Sequence, residues 1–128
     1  MPHRFELRVY YEDTDFAGIV YYANYLKFIE RARSEWVREI GIDQVALKRD
    51  RDLVFAVRRV EADYLSPAEF DDILLVETAV VELSAARLVL TQNISRQTAR
   101  LFQSTVTLVC LNGDGRPTRF PAELRHIT

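Results

Sequence analysis

A chain of 128 residues, 48% apolar and 28% charged, is long enough to bury a sizeable core and too apolar to remain disordered. Lys and Arg total 17 against 19 for Asp and Glu, a formal net charge of -2, which offers no overall attraction to nucleic acid or to an anionic bilayer. The single cysteine, Cys110, excludes an intrachain disulfide, and its apolar neighbours predict a buried strand position rather than a reactive thiol.

The stretch MPHRFELRVYYED lacks an apolar leader segment and a cleavage site, and nowhere does an apolar run reach the roughly 18 residues needed to span a bilayer. Neither export nor membrane insertion is expected, so the expected location is the cytoplasm. Residues 4–11 alternate and read as a first strand, with Phe5, Leu7 and Val9 on one face. A turn-rich stretch covers residues 12–20. From Tyr22 to Ile40 apolar residues recur at helical spacing (Tyr22, Leu26, Ile29, Trp36, Ile40, with Ala32 and Val37 beside them), which predicts one long helix. Lys27, Glu30, Arg31, Ser34, Glu35 and Arg38 fall on its solvated face, with Arg31 and Glu35 placed to pair at i,i+4. Gly41 suits the residue that ends it. A short helical turn is expected over residues 44–49.

From about Leu53 the pattern turns to strand, with Val60, Ala62 and Tyr64 alternating against Arg59, Glu61 and Asp63 until Ser66-Pro67 breaks the run. Three further strands are expected over 72–83, 86–96 and 99–111, joined by connections short enough to require antiparallel hairpins. Asn112-Gly113-Asp114-Gly115 is a turn, and the tail beyond it shows little periodicity. No repeat or linker divides the chain, so a single domain over 1–128 is expected. One strand, one long helix and four strands specify an α+β fold with the helix on one face of a five-stranded antiparallel sheet. Such a sheet leaves strand edges unpaired, and edge-to-edge pairing into a homodimer is the expected remedy.

The chemistry-bearing segment is YYEDTDFAGIVYYANYLKFIERARSEW, Tyr10 to Trp36. Asp13 and Asp15 precede an apolar, glycine-containing loop that runs directly into the helix. A helix start presents unpaired N–H donors and the positive end of the dipole, and a carboxylate a few residues upstream can reach the same point. Carboxylate plus backbone donors suit acyl transfer, the one attacking or activating water and the others holding the oxyanion. The plainer reading is that both aspartates hydrogen-bond a turn.

The segment resembles the 4-hydroxybenzoyl-CoA thioesterase family, above all its Tol-Pal-associated acyl-CoA thioesterase branch, whose signature D-T-D-x-x-G-V-V-Y-H-A-N-Y-L then E-R-A-R-x-E-W is matched from Asp13 to Leu26 and from Glu30 to Trp36. The resemblance implies a hotdog fold, with the sheet wrapped around the long helix. It implies homodimers with active sites at the interface, which pair again into homotetramers. It implies hydrolysis of a short-chain or aromatic acyl-CoA to free acid and CoA, without cofactor or metal. On it the catalytic carboxylate falls on Asp15, as nucleophile or general base, and the N–H that polarises the thioester carbonyl on Tyr22. Phe16, Gly18, Ile19 and Val20 then line the acyl site, Asp13 supports the loop, and Arg87 is the first choice for the CoA phosphates, ahead of Lys48, Arg49, Arg51, Arg58 and Arg59. Tyr22 stands where the branch usually has His, which puts a side-chain proton transfer there in doubt and adds an aromatic wall. His3 and His126 lie near the ends and are expected to be solvent-exposed, so a hydratase with an Asp/His pair is disfavoured. The alternative from another class is a non-catalytic hotdog module that binds acyl-CoA or an acyl carrier.

Overall fold

The computed structural model describes residues 2–126, without the side chain of His126, so the expectation about that histidine lies outside the described residues. Strand β1 (His3–Arg8) leads through a 3-10 turn at Tyr11–Asp13 to helix α1 (Asn24–Glu39) and helix α2 (Gln44–Arg51). Strands β2 (Val54–Tyr64), β3 (Ile73–Leu83), β4 (Leu88–Arg96) and β5 (Ala99–Leu111) follow, and a two-residue β6 (Pro117–Thr118) comes last. The strands form one antiparallel sheet in the order β1-β3-β4-β5-β2, with β6 on β5. The sheet thus has six strands rather than the expected five. The extra one is too short to show a period. It pairs with Cys110 and Leu111, just past Leu108, where the pairing of β4 with β5 stops.

Helix α1 packs on β3 and β1 through Tyr25, Phe28, Ile29, Ala32, Trp36 and Val37, which recur every three or four residues as a buried stripe requires. Sequence periodicity had placed Tyr22 and Leu26 on that stripe. Both are exposed, because Tyr22 precedes the helix and Leu26 sits one position out of phase. Gly41, at φ 94°, ends the helix as expected: its N–H bonds the Arg38 carbonyl and that of Ile42 the Val37 carbonyl, the paired bonds of a Schellman cap. Glu35 takes Arg38 as its partner, not Arg31, whose guanidinium lies 6.0 Å over the Phe28 ring. The described helices include none long and apolar enough to cross a membrane.

Strand alternation supplies the other half of the core. Leu74 and Val76 of β3, Leu88, Leu90 and Ile94 of β4, and Phe102, Val106, Leu108 and Cys110 of β5 are buried, and burial raises the pKa of the Cys110 thiol. One cross-strand row is polar instead: Thr78, Gln92 and Ser104 stand in register and are all buried. Gln92 Nε2 donates to the Ile29 carbonyl and to Thr78 Oγ1, both at 2.9 Å. Its Oε1 accepts from Arg33 Nη1 at 2.8 Å, and Ser104 Oγ donates to its main-chain carbonyl at 2.6 Å. The row ties the middle of α1 to the central strand through satisfied bonds, which is the condition for tolerating polar groups in a core. His3 is a correction: its side chain is only 12% exposed and Nε2 lies 2.8 Å from Glu39 Oε2, because β1 is laid beside the end of α1.

Replacing Gln92 by Leu removes a hydrogen-bond partner from Arg33, Thr78 and the Ile29 carbonyl together. We expect Gln92→Leu to lower the free energy of unfolding by about 2 kcal/mol, measured by urea titration of Trp36 fluorescence. A loss under about 0.5 kcal/mol would show that the row contributes nothing to stability.

Candidate active site

The loop between β1 and α1 is organised by Asp13. Its Oδ2 accepts the Tyr10 N–H at 2.8 Å, and its carbonyl accepts both the Tyr21 N–H at 3.0 Å and Asn24 Nδ2 at 2.8 Å. The residue is buried, and it closes the loop by joining the end of β1 to the start of α1. Within that frame residues 14–20 form a small hairpin. Thr14 bridges Val20, Asp15 N–H donates to the Ile19 carbonyl, and Gly18 N–H donates to that of Asp15, both at 2.9 Å. Gly18 has φ 83°, the left-handed position of a three-residue hairpin loop, where glycine carries no steric cost. The hairpin is tied to residues 66–72 by Ile19 bridging Glu69 and by Val20 N–H on the Ala68 carbonyl at 2.8 Å.

Asp15 is exposed. Its Oδ1 accepts the Ala17 N–H at 2.9 Å, leaving Oδ2 without a partner among the described residues. Both aspartates therefore hold turns, as the plainer reading of the sequence has it, Asp13 from a buried position and Asp15 at the exposed surface. Helix α1 starts at Asn24, two residues after Tyr22, with Ala23 as an N-cap that supplies no side-chain bond and no acid in the first turn. The Tyr22 N–H has no acceptor among the described residues. It lies in the peptide whose carbonyl, Tyr21, accepts the Asn24 N–H at 2.8 Å, so its direction is fixed.

A pocket of about 280 Å³ opens at this point, lined by Ile19, Val20, Tyr22, Tyr25, Tyr64, Leu65, Ser66 and Pro67. Three of the residues expected at the acyl site, Ile19, Val20 and Tyr22, come together here. Phe16 does not: at the hairpin tip it is fully exposed and is not part of this lining. Nor does Gly18, which shapes the turn. Arg87 lies in the β3–β4 hairpin, exposed and held by Glu82 at 2.6 Å. From there to Ile94, which pairs with Phe102 near the pocket, β4 runs seven residues, roughly 20 Å at the usual strand rise. The sequence reading missed Tyr25 and the run Tyr64 to Pro67 as wall residues. The Ser66-Pro67 break after an aromatic strand end was the available signal. Tyr25 is anchored by its hydroxyl, which accepts the Ala68 N–H at 3.1 Å, and burial raises its pKa.

The thioesterase superfamily model matches residues 17–103. The acyl-CoA thioesterase YbgC of Haemophilus influenzae is 42% identical over 122 residues, covering 94% of this chain and 90% of the relative. The acyl-CoA thioester hydrolase YbgC of Escherichia coli O6:H1 is 40% identical over 110 residues, covering 85% and 81%. Among solved structures, a probable thioesterase from Bartonella henselae superposes with a TM-score of 0.91 at 37% identity, over 94% of this chain and all of that one. A mutant 4-hydroxybenzoyl CoA thioesterase complexed with 4-hydroxybenzoyl CoA superposes with a TM-score of 0.91 at 23% identity, over 97% and 96%, a likeness of fold.

Since the Asp13 carboxylate alone holds the Tyr10 N–H, Asp13→Ala is expected to raise amide hydrogen exchange at Tyr10 by about ten-fold or more while leaving strand β4 unchanged. Equal protection in both proteins would remove Asp13 from its organising role.

Proposed function

The chain belongs to the thioesterase superfamily, and from that premise we propose that it hydrolyses an acyl-CoA thioester to the free acid and CoA. The observation that carries the reading is the unpaired Tyr22 N–H at an uncapped helix start, in a residue that lines an apolar pocket beside the loop that presents Asp15 Oδ2. A thioester carbonyl docked on that N–H gains most when it becomes an oxyanion, which is where a preorganised donor accelerates the reaction. Asp15 then acts in one of two ways. As nucleophile, its carboxylate forms a bond to the carbonyl carbon, the C–S bond breaks, the CoA thiolate leaves and takes up a proton, and water cleaves the resulting mixed anhydride. As general base, it takes a proton from the water that attacks directly. Oxygen-18 from labelled water found in the Asp15 carboxylate after a single turnover would establish the anhydride route, with water attacking the Asp15 carbonyl.

The size of the pocket favours short-chain or aromatic acyl groups over long chains. Strand β2 lies at one edge of the sheet, with Val57, Val60 and Tyr64 exposed, and antiparallel pairing of two β2 strands would satisfy that edge in a homodimer. The same pairing sets the Val54 end of one sheet beside the Tyr64 end of the other. That is how Arg87 of a second copy, and an apolar cover for Asp15 and Phe16, would reach the pocket. We place the reaction in the cytoplasm, where CoA thioesters are made.

Purified wild type is expected to release CoA from members of a panel of short, long and aromatic acyl-CoAs, and Asp15→Asn to lose at least about two orders of magnitude in kcat with folding intact. Retention of more than about a tenth of the rate would sink the Asp15 assignment. Tight acyl-CoA binding without turnover by wild type would favour a binding module. Light scattering should return a multiple of the chain mass of 14.9 kDa, a dimer or a tetramer, and a monomer at assay concentration would refute β2 pairing.

A further inference from the structure

Tyr64, the last residue of β2, lies far in sequence from the loop and helix start yet meets them at two points. Its hydroxyl donates to the Tyr22 carbonyl at 3.0 Å. Its ring packs edge-on against Tyr22 at 6.1 Å between centroids and against Tyr25 at 5.4 Å, is backed by Phe102 at 5.2 Å, and lines the pocket. Two peptide planes flank the Tyr22 Cα. The plane that carries the Tyr22 N–H is held by Asn24 N–H on the Tyr21 carbonyl. The following plane is held by the Tyr64 hydroxyl, which is the one donor to the Tyr22 carbonyl among the described residues. With both planes fixed, the Tyr22 N–H is held in one direction. Burial, helped by Tyr22 and Tyr25, raises the pKa of the Tyr64 phenol, so it remains a donor at neutral pH.

We infer that Tyr64 is a positioning and specificity-determining residue for thioester hydrolysis: its hydroxyl fixes the peptide next to the Tyr22 N–H, and its ring is the wall that limits the length of the acyl group. The inference rests on the hydrolysis reading above. Its two parts separate by substitution, because Phe keeps the ring and loses the hydroxyl, whereas Ala loses both.

The test measures kcat and KM for wild type, Tyr64→Phe and Tyr64→Ala along a ladder of straight-chain acyl-CoAs, with circular dichroism and thermal unfolding to confirm folding. Tyr64→Phe is expected to lose about five-fold in kcat on every substrate, with KM within about two-fold and the order of preference unchanged. Tyr64→Ala should show the same loss and a rise of roughly ten-fold or more in the kcat/KM ratio of long to short chains. If Ala does not fold, Leu takes its place. Wild-type kcat in Tyr64→Phe, or an unchanged preference in the smaller variant, would overturn the inference and leave Tyr64 a packing residue. Should wild type turn over no member of the ladder, the hydrolysis reading fails. Calorimetric affinities along the same ladder then decide whether the smaller variant still shifts preference toward long chains, and an unshifted order overturns the wall.

Discussion

Everything at the site depends on one residue accepting three hydrogen bonds from two directions. The Asp13 carboxylate faces back to the end of β1 through Tyr10, and its carbonyl faces forward to Tyr21 and Asn24. A loop of this length has a substantial conformational entropy, roughly 1–2 kcal/mol for each residue held in place, and it lies at the surface where apolar burial cannot repay that. Three bonds on one buried acid, with the bridge of Ile19 to Glu69 and the Val20 bond to Ala68, convert it into a frame. Tyr22 then leaves the loop in a fixed direction before the first helical turn begins.

The frame would be useless if α1 could slide. Its buried stripe of Tyr25, Phe28, Ile29, Ala32, Trp36 and Val37 supplies most of the attraction to the sheet, but apolar packing does not by itself fix an axial position. Gln92 does, because it bonds the Ile29 carbonyl and Arg33 from a central strand. Burial lowers the pKa of the Arg33 guanidinium, against a smaller opposing effect of Glu30, a sign that this contact sits in the helix–sheet seam and not on the solvated face. Helix position, and with it the location of Tyr22, is thus set by a polar register pin inside an apolar interface.

What the sequence made legible follows from local periods. The helix, the strands β2 to β5 and the glycine that ends α1 rest on 3.6-residue and two-residue repeats and on one positive-φ position, which need only neighbours in the chain. The family signature located the loop and the helix start in the same way. What stayed hidden needed the third dimension. The pairing of Arg31 was misread because Phe28 claims its guanidinium. The exposure of Phe16 follows from its place at a hairpin tip, and the burial of His3 from a strand laid beside the far end of α1. Tyr64 is the sharpest case, since it reads as one more alternating strand residue and acquires its contacts only when β2 is folded against a helix start 42 positions away.

Nearly all backbone donors in a folded chain find a partner, since leaving one unpaired is costly wherever water cannot reach it. In the segment from Tyr10 to Asn24 the donors of Tyr10, Asp13, Thr14, Asp15, Ala17, Gly18, Val20, Tyr21 and Asn24 are matched, and those of Tyr11, Glu12, Phe16, Ile19, Tyr22 and Ala23 have no acceptor among the described residues. Of these open donors the Tyr22 N–H is the one that both belongs to a pocket-lining residue and lies in a peptide whose carbonyl is held, by the Asn24 N–H, and Asp15 Oδ2 is an exposed charged acceptor without a partner among the described residues. A site that must bind a carbonyl and then stabilise added negative charge needs a donor held ready and an anion kept out of its own turn's hydrogen bonds. On the hydrolysis reading proposed above, the exposure of Asp15 in the single chain bears on assembly. A carboxylate that works on a thioester needs an apolar cover, and the unpaired β2 edge is the place where a second copy can bring one.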